Sequence, residues 1–520
     1  MPVMKREPIM KTRIALFGAL LCSIPATAQL IKHSFDGDAG PGEAACKPSP
    51  SHCSWPDMSA AVSHKQIVEA TWQNVRVYDH SGHLLRSIPM GTFIGNAGLK
   101  PLPQQPGKPA GPPVIEPSVV FDEFIQRWIV SVTAFSDSLL VSASADALGS
   151  WGGVYLACLQ GGPCLDRDPA LHLGYDKNGV YYCGGHPGED NPNTIPGVSY
   201  DCFAVPTAEV AAISKGTAPT HINRAHRMPL DIYPPVDHTR NKAPGAPAFF
   251  ATKTCDRSVR GGCQNATNYS FDWLVESFTW NGASGNWSEQ LVKTAVGSKE
   301  NLWLYNPPCC GVIGSVAQAG NNTIALRGAE SHRFSNLVQL GSHVYGVMTS
   351  GPCTHDCGHA GTDTNNLGFW VDLDCSKPAA CVVSQTAKVS GADANPSFAT
   401  VGVDQAGNVG IVAASWSATT NLSLLLWTHR KSDPPNTLNG PTVIVKGTQP
   451  FTCVSTRGFE SVGNPAGVLT GLDPADGATL WTAHHYANDA TACVWNTRIV
   501  GYQIASSASR SKQPKPKSKK

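Results

Sequence analysis

The sequence predicts an all-β fold: a β-propeller of four-stranded antiparallel blades, seven in number, with six and eight as the neighbouring counts. Three observations carry this. A short hairpin phrase recurs along the chain, two segments each read as four consecutive strands, and no apolar stretch keeps a helical period long enough for an α domain.

The phrase is an apolar run, an Asp, a short gap ending in Gly or a polar turn, and a second apolar run. It occurs at Asp79 to Gly82, Asp122 to Arg127, Asp176 to Gly179, Asp404 to Gly407 and Asp473 to Gly477. Asp folds its carboxylate onto nearby backbone N–H groups and Gly accepts positive φ, so each phrase marks two antiparallel strands meeting. The clearest four-strand unit runs Phe398–Val403, Val409–Trp416, Asn421–Arg430 and Thr442–Lys446. A second, of similar length, runs Ser118–Asp122, Arg127–Ala134, Leu139–Ala145 and Val154–Leu159. Radial stacking of such units lets each sheet bury both faces against its neighbours. Pro101–Pro117, Gly184–Val198 and Lys215–Pro247 read as loop-like insertions. Thr497–Ile504 is expected to close the ring beside an N-terminal strand near Ile67–Val77.

Ahead of this body, Lys11 and Arg13, the apolar Ile14–Ile24 and the small residues Ala26-Thr27-Ala28 form a secretory leader over 1–28, with Gln29 as the mature N-terminus. Leu21 before Cys22 argues against a lipoprotein, and no later run approaches the ~20 apolar residues of a membrane span. The expected division is leader 1–28, a disulfide-containing extension 29–58, the propeller 59–507 and a disordered basic tail 508–520. The protein is thus expected outside the cytoplasm, secreted or periplasmic, as a monomer.

Of 17 cysteines, all but Cys22 lie in the mature chain, and an even number in an oxidising compartment favours disulfides. Loop-closure entropy favours local pairs: Cys46–Cys53, Cys158–Cys164, Cys183–Cys202, Cys255–Cys263, Cys353–Cys357, Cys375–Cys381 and Cys453–Cys493. Cys309 and Cys310 remain. A vicinal Cys309–Cys310 bridge is strained, because adjacent α-carbons sit ~3.8 Å apart against ~4.4 Å for the closest ordinary disulfides. The other reading bridges one or both to Cys353 or Cys357. Zinc is disfavoured, since no C-x-x-C pair recurs at finger spacing.

Ten of the 39 lysines and arginines lie in the leader and tail, against one of the 38 acidic residues, so the body is mildly acidic. That disfavours nucleic acid as a partner.

Pro117-Ser-Val-Val-Phe-Asp122 with Arg127-Trp128, Ser150-Trp151, Asp168-Pro169 leading into Gly174-Tyr-Asp176, Pro396-Ser397 ahead of Asp404, Asp473-Pro474 ahead of Trp481, and Trp495-Asn-Thr-Arg498-Ile499 together resemble a family of bacterial secreted β-propellers that carry loose sialidase-like labels. The likeness runs from about Ala60 to Ile504 and implies the propeller fold, but its blade-building motifs bring no established reaction. Where the family pattern is Arg-Trp-Gly-Asp, this chain has Arg457-Gly-Phe-Glu460. The stretch Asp473 to Trp481 also resembles the tryptophan-docking repeat of quinoprotein dehydrogenases. It occurs once, so Trp481 reads as a blade-packing residue.

Candidate chemistry lies in three places. Arg327, Arg333, Arg430, Arg457 and Arg498 could form a carboxylate-binding cluster or serve salt bridges between blades. Cys353-Thr-His355-Asp356-Cys357-Gly-His359, with Asp363 beyond, gathers imidazoles and carboxylates in one loop that could hold a divalent metal or present a general base. His484-His485-Tyr486, and His186 with Glu189 and Asp190, are weaker versions of that signal. The ligand-binding candidates are Arg327, His355, His359, Arg457 and Glu460, with His355, Asp356, His359 and Asp363 as metal candidates. No cofactor is expected beyond a structural divalent cation. The functional classes are a binder of carbohydrate or another cell-envelope ligand, a glycan hydrolase or lyase, and an interaction module.

Overall fold

The computed structural model describes residues 30–40, 58–100, 115–133, 137–156, 172–186, 199–227, 236–242, 245–254, 272–293, 312–319, 322–327, 334–350, 367–391, 393–452, 470–489, 491 and 494–505. Within them the chain forms a seven-bladed β-propeller of four-stranded antiparallel blades.

Strand β1 (Leu30–Ala39) comes first and belongs to the last blade. Blade 1 is β2 (Ser59–Val62), β3 (Gln66–Ala70), β4 (Asn74–Asp79) and β5 (Leu84–Pro89), followed by the short helix α1 (Met90–Asn96). Blade 2 is β6 (Ile115–Asp122), β7 (Arg127–Thr133), β8 (Asp137–Ser142) and β9 (Trp151–Tyr155). Blade 3 is β10 (His172–Tyr175), β11 (Gly179–His186), β12 (Ser199–Pro206) and, after helix α2 (Thr207–Ile213), β13 (Asn223–Arg227). Blade 4 has β14 (Val236–Arg240) in its innermost place, hydrogen-bonded to the neighbouring blade rather than to β15 (Ala248–Thr254), which forms an antiparallel sheet with β16 (Asp272–Asn281) and β17 (Ser284–Lys293). A hairpin, β18 (Val312–Gln318) and β19 (Asn322–Arg327), intervenes before blade 5. Blade 5 is β20 (Phe334–Leu340), β21 (His343–Ser350), β22 (Leu367–Asp374) and β23 (Val382–Val389). Blade 6 is β24 (Pro396–Val403), β25 (Val409–Ser417), β26 (Thr420–His429) and β27 (Asn439–Val445). Blade 7 is β28 (Thr470–Leu472), β29 (Leu480–Tyr486) and β30 (Asn496–Gln503), with β1 as its outer strand. The innermost strands run side by side around the axis, and β14 pairs with β20 in parallel.

Packing explains the strand sequences. A buried apolar cluster fills each of the seven blade-to-blade contacts, including the one between blades 7 and 1. Successive residues serve opposite contacts: Trp128 and Val130 pack toward blade 1, and Ile129 toward blade 3. A sheet dry on both faces needs a nearly continuous apolar run rather than alternation. Strand β25, buried at every residue, is such a run.

All five Asp phrases form turns between adjacent antiparallel strands. Asp122 Oδ1 accepts the Phe124 N–H at 2.8 Å, Asp176 Oδ1 the Asn178 N–H at 2.7 Å, and Asp473 Oδ1 the Ala475 N–H at 2.8 Å. Asp79 Oδ1 accepts Ser81 N–H at 2.8 Å and Asp404 Oδ1 accepts Asn408 N–H at 2.8 Å. Gly82, Gly407 and Gly477 take positive φ, as the turn chemistry requires. The strands of blades 2 and 6 lie within a few residues of their expected bounds.

Two expectations are corrected. The partner of the closing strand is Leu30–Ala39, not Ile67–Val77, whose residues form the β3–β4 hairpin inside blade 1. The partner lies in the segment read as an extension, because an outer strand that is half exposed carries a weak apolar signal. Lys215–Pro247, read as loop, contains β13 and β14. Both are polar in sequence: β13 is an outer strand, and β14 takes an innermost position between β10 and β20.

Trp481 is fully buried between blades 7 and 1, as its packing role predicts, and its Nε1–H donates to Asp473 Oδ2 at 3.0 Å. Disulfides Cys183–Cys202 and Cys375–Cys381 are formed. The cysteines of the other five pairs, and Cys309 and Cys310, lie outside the described residues. No helix among the described residues is long and apolar enough to cross a membrane.

Candidate functional site

The two ends of the ring differ. At one, the turn end, the first and second strands of each blade meet through short turns. Residues 41–57, 101–114, 157–171, 187–198, 255–271, 351–366 and 453–469 join strand ends at the opposite end, the loop end, and 294–311 leaves β17 from that same end. His355, Asp356, His359 and Asp363 fall between β21 and β22 of blade 5, and Arg457 and Glu460 between β27 and β28, from blade 6 to blade 7. All six lie outside the described residues. Arg327 is the last residue of β19. The hairpin itself is tied to the exit of blade 6: the side chain of Gln318, at the end of β18, donates through Nε2–H to Phe451 O at 2.6 Å and accepts Phe451 N–H on Oε1 at 3.0 Å.

The turn end is closed by charged groups that the sequence does not bring together. Arg240, ending β14 in blade 4, donates through Nη1 to Glu123 Oε2 in the blade 2 turn at 3.1 Å, and its Nη2 reaches Glu123 Oε1. The same Nη2 lies 3.5 Å from the Leu472 carbonyl of blade 7, three blades away. A guanidinium that touches blades 2 and 7 from blade 4 must lie across the axis, so it plugs this end.

Beside the plug, Lys242 Nζ pairs with Asp176, and both side chains are buried. Asp176 Oδ2 also accepts the Tyr181 hydroxyl at 2.9 Å, and Tyr181 in turn accepts Trp280 Nε1–H at 2.7 Å. Asp122 is fully buried, and its Oδ2 has no hydrogen-bond partner among the described residues. Burial, reinforced by Asp176 and Glu123, raises the Asp122 carboxyl to about 7. Farther from the axis, His343 Nδ1 lies 2.7 Å from Asp372 Oδ1, and that hydrogen bond raises the imidazole above its ordinary range. Neither Arg240 nor Lys242 carries a sequence signal: each meets a partner more than sixty residues away through the ring.

The His484–His485 pair is interior rather than a site. His484 Nε2 lies 3.2 Å from Phe398 O, its Nδ1 accepts His485 N–H at 2.9 Å, and the two rings pack 4.8 Å apart. Burial lowers His484 to about 4 and, with His484 beside it, takes His485 well below the ordinary imidazole range, so both are neutral. Arg498 is committed to Asp36 Oδ1 at 2.7 Å and Ser34 Oγ at 3.0 Å, an ion pair across the closing seam rather than a free member of an arginine cluster. Among the described residues no group of three or more His, Cys, Asp or Glu side chains is arranged to hold a metal ion.

No protein-family model matches the chain, and no curated protein matches it. Solved structures similar to it include Drosophila semaphorin 1b, extracellular domains 1–2, at TM-score 0.39 and 8% identity over 92% of this chain and 87% of that one. Kuenenia stuttgartiensis hydrazine synthase gives TM-score 0.38 and 8% identity over 82% and 91%. Trypanosoma rangeli sialidase gives TM-score 0.28 and 7% identity over 68% and 55%.

Proposed function

We propose that the protein is an exported β-propeller that binds a carbohydrate or other cell-envelope ligand at its loop end, with His355, His359, Arg457 and Glu460 as contacts and Arg327 on the neighbouring hairpin. The observation that carries this reading is the asymmetry of the ring. Short first-to-second-strand turns, the α2 connection of blade 3 and a charged plug occupy one end, whereas strand ends of nearly every blade open into long connections at the other. Convergent loops on a rigid scaffold are where propellers can gather polar groups distant in sequence. Export is supported by the leader-like first 28 residues and by two disulfides, which persist in oxidising compartments.

The test is a glycan array and a polysaccharide panel with purified protein. Retention on defined glycans without product, lost in Arg457→Ala and His355→Ala, supports the binder. Release of reducing ends or unsaturated sugars, abolished by His355→Ala or His359→Ala, replaces it with a hydrolase or lyase. Silence in both assays refutes it in favour of an interaction module.

A further inference from the structure

Besides the outer Asp36–Arg498 pair, the seam where β1 completes blade 7 holds two buried carboxyl groups, Asp38 and Glu69, and a second arginine, Arg76. Asp38 enters where the β1–β30 register shifts, between Asp36 and Ala39. Its carboxylate meets only donors: Arg76 Nη2 at 2.6 Å, the Thr71 hydroxyl at 2.8 Å and Asn74 Nδ2–H at 3.0 Å. Asp38 is therefore satisfied as an anion, and Arg76 is committed to it. Arg76 Nη1 donates to Gly37 O at 3.0 Å, which ties the same guanidinium to β1 backbone.

Glu69, on β3, is fully buried. Its Oε2 accepts the Asp38 N–H at 3.0 Å and the Tyr78 hydroxyl at 2.9 Å. Its Oε1 lies 2.5 Å from Thr497 Oγ1 of β30, and that hydroxyl lies 3.2 Å from Asp38 O. Thr497 has a single proton to give. If Glu69 is ionised, Thr497 must choose between the carboxylate and the Asp38 carbonyl. If Glu69 carries a proton on Oε1, it donates to Thr497, Thr497 donates to Asp38 O, and both contacts are made. Gly37 keeps this space free, since a Cβ there would come within 2.3 Å of Thr497 Oγ1 and 2.5 Å of Glu69 Oε1.

We propose that the N-terminal strand is held in the ring by a proton shared across this seam: protonated Glu69 joins β3, β30 and β1, and loss of the proton adds a second buried negative charge that loosens Leu30–Ala39. The groups facing Glu69 are Asp38 from β1, Arg76 and Tyr78 from β4, and the non-titrating Thr497 from β30. Burial first and Asp38 second raise the Glu69 carboxyl from 4.5 to about 7. An open seam exposes Glu69 to water and returns it to its ordinary value, so the closed form binds more protons between those limits. Strand opening therefore becomes easier as pH rises from about 4.5 to about 7, and levels off above.

Hydrogen exchange at the amides of residues 30–39 and 496–503, corrected for the intrinsic pH dependence, tests this on the whole protein. Protection is expected to fall on the order of 100-fold between pH 5 and pH 8. Amides of β25, remote from the seam, should show no such fall. In Glu69→Gln, whose amide donates to Thr497 at every pH, seam protection should be independent of pH. A flat wild-type profile overturns the proposal without any variant, and so does a slope that survives in Glu69→Gln.

Discussion

Replacing Lys242 with Met keeps the aliphatic stem in place and removes only the ammonium. The Lys242 and Asp176 side chains are 4% and 1% exposed, so the partner left behind is a carboxylate in a dry site. Removing one member of a buried pair costs about 3–5 kcal/mol, most of it the penalty of stranding the other charge. Asp176 retains the Asn178 and Gly179 N–H groups and the Tyr181 hydroxyl as donors, which favours the lower end, about 3 kcal/mol. The double variant Asp176→Asn with Lys242→Met strands no charge and should regain about half or more of that loss. Urea unfolding followed by tryptophan fluorescence measures both, because Trp280 hydrogen-bonds Tyr181 within this network. A loss below about 1 kcal/mol for Lys242→Met, the value of an exposed pair, would refute the reasoning and place Lys242 effectively in solvent.

Converting Cys183 and Cys202 together to Ala releases a loop of sequence separation 19 and should cost about 3 kcal/mol in unfolding free energy measured by urea titration. A double-mutant cycle on Glu123→Gln and Arg240→Met should give a coupling of about 1 kcal/mol, discounted because the side chains are 25% and 14% exposed. In Arg240→Met, hydrogen exchange should quicken together in the blade 2 turn at 122–127 and the blade 7 turn at 472–477. Quickening in only one would mean that the guanidinium does not span the axis.

What could be read from the sequence was whatever depends on neighbours along the chain. An Asp that caps its own turn announces itself wherever it occurs, and Val409–Ser417, dry on both faces, reads as a nearly unbroken apolar run up to its two serines. The strands that escaped have weaker reasons to be apolar. Val236–Arg240 lies beside the axis, and Leu30–Ala39 has a face open to solvent. The axial plug escaped for another reason: Arg240 and Glu123 are 117 residues apart, and only closure of the ring brings them together. Arg498 shows the converse hazard, since a side chain that could have been counted toward a binding cluster is consumed by Asp36. The candidate contacts at the loop end belong to connections, whose composition states what they carry but not how they converge.

Leu30 pairs with Gln503, so the first and last strands of the ring begin and end together beside the tight turns. Leu30 and Gln503 therefore lie side by side at the end of the disc opposite the long connections. A tether attached at either of these two residues would hold the molecule by its back and present the connection-bearing surface outward. Immobilisation at that edge is accordingly the orientation in which a captured ligand meets the least obstruction.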